Sequence, residues 1–226
     1  SLGEISNRNI FINNSGGEIK VDGTTLSGIS NIGISFTNAG KITIGSISNV
    51  SVGIRSVGTF ENQLGGEIKI DGCTSHGITV GTFLATSPLG PFTNSGKITI
   101  GATSNIGEYG ITNLNSISNT ATGEILVDRC AIGGISNGHP FASASFTNNG
   151  KLTIGSVATV GPNGIINQNN IANNGTAEVA IDRCSSTGIT NQNGTVTNAA
   201  KITIGGLASV GSIGISNTGT FSNNLG

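Results

Sequence analysis

Four aspartates return at one place in the chain: Asp22, Asp71, Asp128 and Asp182, each four residues after a glutamate. Carboxylates are the first candidates for general acid–base work. Glycoside hydrolysis needs two of them roughly 5–9.5 Å apart in environments that differ. Equivalent aspartates in equivalent repeats share one environment, so nothing separates their pKa values. The glycine-rich aspartate nonapeptide of calcium-binding rolls is missing. His76 and His139 occupy non-equivalent places and read as surface or loop residues rather than bases. No Ser-His-Asp grouping and no phosphate-binding loop emerges. The expectation is a protein that is not an enzyme and uses no cofactor or metal.

The three cysteines, Cys73, Cys130 and Cys184, cannot all pair within one chain. Each lies five residues after the leading aliphatic residue of a charged segment. The same offset elsewhere holds Thr24, Ile47, Thr103, Val157 and Leu207, so this place reads as inward. Successive cysteines recur every second repeat, about 10 Å apart, beyond the ~7 Å Cα separation a disulfide spans. They are expected to be free, buried thiols that behave as small apolar residues.

These residues are positioned by an internal repeat. The line Phe36-Thr-Asn-Ala-Gly-Lys-Ile-Thr-Ile-Gly45 returns at Phe92–Gly101, Phe146–Gly155 and Val196–Gly205. A second version ends in Asp22, Asp71, Asp128 and Asp182. We call the first an A coil and the second a B coil; they alternate along the chain. Three apolar anchors recur in each coil. The first opens the charged segment (Ile19, Ile42, Ile68 and their equivalents to Ile202). The second usually follows glycine (Ile29, Ile54, Ile78 and onward to Ile215). The third is mostly aromatic (Phe11, Phe36, Phe60, Phe92, Ile117, Phe146, Ile171, Val196, Phe221). Period-two alternation around each anchor predicts short strands, and Gly and Asn between them supply turns.

The spacing therefore predicts an all-β chain: a parallel β-helix, or β-solenoid, of about eight three-stranded coils in alternating A/B pairs. The whole chain, 1–226, reads as one array. It begins and ends in the same phase of an A coil, which suggests a segment of a longer array or a unit that stacks end to end. Each coil of ~26 residues depends on its neighbours to bury its apolar face.

Two columns follow from that register. An asparagine stands two residues after the third anchor throughout: Asn13, Asn38, Asn62, Asn94, Asn119, Asn148, Asn173, Asn198 and Asn223. Stacked amides at the strand spacing can donate to one neighbour and accept from the other, forming a structural ladder. Just before the first anchor the residues run Glu18, Lys41, Glu67, Lys97, Glu124, Lys151, Glu178, Lys201. Like charges directly opposite repel, so the alternation specifies register: a one-coil slip sets Glu on Glu. Thr43, Thr99, Thr153 and Thr203 form an outward column in A coils only, interrupted by Lys20 and Lys69, which argues against an ice-binding face.

The even pattern breaks after two B-coil strands, at Gly81–Pro91 and Gly138–Ser145. Phe83, Leu84, Pro88, His139, Pro140 and Phe141 on these insertions are candidate contact residues for a neighbouring rod, a cell surface or a glycan.

Composition agrees with a thin core. Charged residues are 9% and hydrophobic residues 35% of the chain, with 37 Gly, no Trp and a net charge of −1. That is too little charge for a disordered chain and no basic footprint for nucleic acid. No apolar run reaches the ~18 residues of a membrane helix. No charged and apolar leader follows Ser1, so any export signal is expected to lie outside this segment.

The elements "GI-x-N" (Asn113, Asn167, Asn217), "N-x-G-x-I" and "F-x-N-x-G" resemble the repeats of bacterial autotransporter passengers and filamentous-haemagglutinin-like adhesins. The resemblance covers nearly the whole chain and implies that the β-helix is a right-handed parallel β-helix, with secretion or cell-surface display and adhesion or surface structure as the role. Its strict A/B alternation and even coils depart from that family. They point to a structural fibre, stalk or surface layer built by end-to-end or lateral self-association. Adhesion to a host surface, glycan or neighbouring cell through the B-coil loops is the alternative.

Overall fold

The computed structural model describes residues 3–82, 89–140 and 143–224. Phe83, Leu84, Pro88 and Phe141 of the candidate loops lie outside the described residues.

The strand-forming segments are three to five residues long, rich in Ile, Val, Thr and Phe, and bounded by Gly, Asn and Ser. They fold into 26 strands and no helix among the described residues. Three parallel sheets collect the three anchors. The charged sheet stacks eight strands from Glu18–Val21 to Lys201–Ile204. The glycine sheet stacks nine from Ile5–Asn7 to Ile213–Asn217, and the aromatic sheet nine from Ile10–Asn13 to Thr220–Asn223. Each strand pairs with the strand three places before and three places after it, so the chain winds as a β-solenoid of about eight turns.

Register is uniform. Ile19 faces Ile42, Ile42 faces Ile68, and Lys97 sits between Glu67 and Glu124. Asparagine stands opposite asparagine along the aromatic sheet. The core is one continuous column of buried anchors, with Phe36, Phe60, Phe92 and Phe146 its largest fully buried side chains. Phe11, Phe36, Phe60 and Phe92 stack face to face with centroids 4.6–4.8 Å apart and planes within 9°. The strand repeat imposes that distance, and the stacking adds to the ~1.5–3 kcal/mol that burial of each large apolar side chain contributes.

Two glycine columns are required sterically. Gly53 precedes the second anchor, and a Cβ there would lie 2.5 Å from both the Ile70 Cγ2 and the Gly77 carbonyl oxygen. The glycine and charged sheets can approach this closely only over a residue without a side chain. Gly45, Gly101 and Gly155 end the charged strand of A coils at φ of +68°, +70° and +74°, with the following coil's Asp carbonyl against the position a Cβ would take.

Candidate functional site

The asparagine column forms the ladder its spacing implies. From Asn13 to Asn223 each Nδ2 donates to the Oδ1 of the next coil's asparagine at 2.7–2.8 Å, through eight links. The same Nδ2 also reaches backbone carbonyls at the corner, as Asn119 does to Gly123 and Lys151. From Asn13 to Asn198 the amides are buried inside the turn between the aromatic and charged sheets. Unpaired, each would carry the full desolvation cost of a polar group; paired in series, they close the corner.

A second ladder runs at the corner between the glycine and aromatic sheets. Asn113, Asn137, Asn167, Asn191 and Asn217 link in sequence at 2.7–2.8 Å, and Asn7 donates to Asn31. Its sequence signal is the "GI-x-N" element, whose asparagine falls at the same corner in coil after coil. Asn31 instead meets the Ser56 hydroxyl at 3.3 Å, Ser56 donates to the Gly58 carbonyl, and Val80 occupies the next place. The ladder thus lapses where the first B-coil insertion leaves the coil.

The aspartates are structural acceptors. A coils carry three more residues than B coils after the charged strand, and the extra turn exposes backbone N–H groups that need partners. Asp22 accepts from the Ile47 and Ser48 amides, Asp71 from Thr103 and Ser104, Asp128 from Val157 and Ala158, and Asp182 from Leu207 and Ala208, at 2.8–3.3 Å. Ser46 and Ser156 hydroxyls add a bond to Asp22 and Asp128. At Asp71 that serine is replaced by Ala102, and the Lys69 ammonium closes on the carboxylate at 3.2 Å. Burial raises the Asp71 pKa, but the Thr103 and Ser104 amides and Lys69 outweigh it and hold the group below its ordinary value. Arg129 and Arg183 stand next in sequence at φ of +52° and +53°, where the first two B coils have glycine. Their guanidiniums fold back onto the carbonyls of Gly101 and Ala102, and of Gly155 and Ser156.

The extra turn corrects the alignment of the cysteine place. Cys73 pairs with Val50 and Ile106, and Ile106 with Cys130, so the inward place in A coils is eight residues after the first anchor. Thr24 is buried as expected, but Ile47, Thr103, Val157 and Leu207 are not inward: all four are exposed at the tips of the extra turns, the three aliphatic ones by 88%, 66% and 73%. The thiols themselves are free and buried, and burial pushes all three up to about 12.

The charged column stands in the expected register from Glu18↔Lys41 to Glu178↔Lys201. Lys201 and Glu178 close at 3.3 Å, whereas Lys20 reaches along its own strand to Glu18 at 3.2 Å. The column acts through strand register more than through closed ion pairs.

His76 is not isolated. Its ring lies 3.6 Å from a Glu108 carboxylate oxygen, its Nδ1 is 3.3 Å from the Thr112 hydroxyl, and it stacks on Tyr109 at 6.2 Å between centroids. Glu108 also accepts from the Ser75 hydroxyl at 3.0 Å. Burial lowers the His76 pKa, and Glu108 only partly restores it. Neutral imidazole, carboxylate and hydroxyls here bridge two adjacent coils. His139 lies on the other insertion, its backbone amide donating to the Asn169 Oδ1 at 3.2 Å, next to exposed Pro140. Pro140, Gln168, Asn169, Gln192, Asn193 and Thr218 line a cleft of about 560 Å³.

No group of three or more His, Cys, Asp or Glu side chains that could hold a metal ion occurs among the described residues, and no helix long and apolar enough to cross a membrane occurs among them. Comparison with known proteins gives no match: no family model, no curated protein and no solved structure matches this chain.

Proposed function

We propose that this chain is a structural β-solenoid, secreted or displayed at a cell surface, that builds a fibre, stalk or surface layer by association with further copies, end to end or laterally. One observation carries the reading: the residue types able to do chemistry are spent on coil-to-coil bonding. Eight consecutive amide links run through the array, and each recurrent aspartate is occupied by the backbone of the next A coil. Such a molecule transmits load along its axis and offers one environment repeated many times. A non-enzymatic role fits those occupied carboxylates, and the resemblance to autotransporter and haemagglutinin-like repeats supports export. Electron microscopy of the native material tests it. Filaments or a layer with the cross-section of a single or bundled solenoid are expected; isolated short rods under all conditions would refute it.

An adhesive role is the second reading. The cleft beside Pro140 favours it, because the amides of Gln168, Asn169, Gln192 and Asn193 offer the paired donors and acceptors that sugar hydroxyls require. Deleting Thr82–Leu89, or replacing Gln192 and Asn193 by Ala, should then reduce cell or glycan binding while rods still form. Unchanged binding would remove this reading.

A further inference from the structure

The extra turns of the A coils make a comb along one edge of the solenoid. Their tips, Ile47, Thr103, Val157 and Leu207, recur every second coil, about 9.6 Å apart. Between two teeth the shorter B coil leaves a notch. The one between the teeth of Thr103 and Val157 is a cleft of about 480 Å³, floored by Ala131 over the buried Ile106 and Cys130 and walled by Asn105, Arg129 and Thr159.

Three features fit this edge for contact. The teeth, Ser46–Asn49, Ala102–Asn105, Ser156–Thr159 and Gly206–Ser209, carry no ionisable side chain. The charges nearest them are engaged: the aspartates hold the teeth's own amides, and Arg129 and Arg183 fold onto backbone carbonyls. Those same bonds hold each tip rigid, so an aliphatic side chain is presented without an ordering cost on contact. A large apolar residue held in water at three of four equivalent tips marks an interaction surface.

We propose that two copies of this chain lie side by side and interlock through the comb, the tips of each entering notches of the other. The proposal rests on the structural reading above and names its lateral surface. A second copy is the fitting occupant because it carries the same ~9.6 Å period. A flat or aperiodic partner would seat one tooth and miss the next. With a net charge of −1, two copies also approach without strong repulsion. The comb spans about 29 Å by roughly 10 Å, or about 600 Å² buried over both partners, below a standard interface. Pairing of this segment is therefore weak and gains strength as more coils engage together.

Sedimentation velocity and small-angle scattering between about 10 μM and 1 mM test this, with the triple variant Ile47→Ser, Val157→Ser, Leu207→Ser. The wild-type chain should pair with rising concentration and show a wider cross-section at unchanged length. The variant should pair at least about tenfold more weakly and melt at the wild-type temperature, because its changed side chains are exposed. Raising NaCl should leave wild-type pairing intact. Wild-type chains that stay single to 1 mM, equal pairing in the variant, or pairing abolished by salt would each overturn the comb. Native filaments of single-solenoid width in both proteins would refute the comb while leaving the structural reading standing; absence of any filament would sink that reading instead.

Discussion

A buried asparagine in this solenoid is bonded on both sides, so its loss strands two neighbours rather than one. Replacing Asn119 by Ala leaves the Asn94 Nδ2 without its amide acceptor and the Asn148 Oδ1 without its donor. Urea denaturation should show a loss of about 2–3 kcal/mol, against less than about 0.5 kcal/mol for Asn105→Ala at an exposed tip. Asp71 makes stability depend on acidity. Its pKa is held below the ordinary carboxylate value, so its contribution is fully present above pH ~4 and is lost as pH falls through the folded-state value. Thermal melts of Asp71→Asn should fall below wild type at neutral pH and converge with it in acid; a constant difference down to the lowest pH would count against this assignment. The cysteines behave oppositely. With thiols at about 12 and buried, a disulfide-exchange reagent at pH 8 should label none in the native chain and all three after denaturation. Much of this was legible residue by residue: the amide ladder, the free thiols and the register charges each follow from spacing. The aspartate clamps were not, because their partners are backbone amides of the next coil, which carry no signature in side-chain identity.

At the scale of a strand, register is fixed by charge and packing together. Lys97 stands between Glu67 and Glu124, so Lys97→Glu places three like charges in a row. A loss of about 1 kcal/mol is expected, shrinking as salt is added. Exchanging the flanking residues as well, Glu67→Lys with Glu124→Lys, should recover part of it, although new contacts with Lys41 and Lys151 limit the rescue. The turns tell the other half. Counting outward from the first anchor placed Ile47, Val157 and Leu207 inside, because a fixed offset assumes coils of equal outline. The pairing of Cys73 with Val50 and Ile106 shows that A coils bulge by three residues before rejoining the B outline. The longer anchor spacing of A coils was visible in the sequence, but where the additional residues leave the coil was not. Only the stacking of neighbouring strands settles which residues share a level.

The whole molecule is a one-dimensional stack in which each coil bonds to the one before and after it. Its unit is the A/B pair, which a deletion experiment can expose. Removing residues 97–150 takes out one A and one B charged strand and brings Glu67 onto Lys151, preserving alternation and the placement of every extra A turn over a B-coil aspartate. Removing only residues 124–150 brings Lys97 onto Lys151 and leaves the turn at Ser156–Thr159 without Asp128. The longer deletion should therefore cost less stability than the shorter one, as read by thermal unfolding. A larger loss from the longer deletion would show that coils, not pairs, are the cooperative unit.

The sequence by itself determined the sheet order, the repeat, the inward anchors and the ladder. Each of these depends on a period that strand geometry copies faithfully from one coil to the next. The tertiary structure alone decided what lies between the anchors: the aspartates as clamps for the next coil's amides, His76 joined to Glu108 and Thr112, and the exposed aliphatic tips. Those contacts join residues 25 to 36 places apart across coils of unequal length. Periodicity cannot locate them, because an inserted turn shifts every residue after it, and only packed neighbours show where the shift is absorbed.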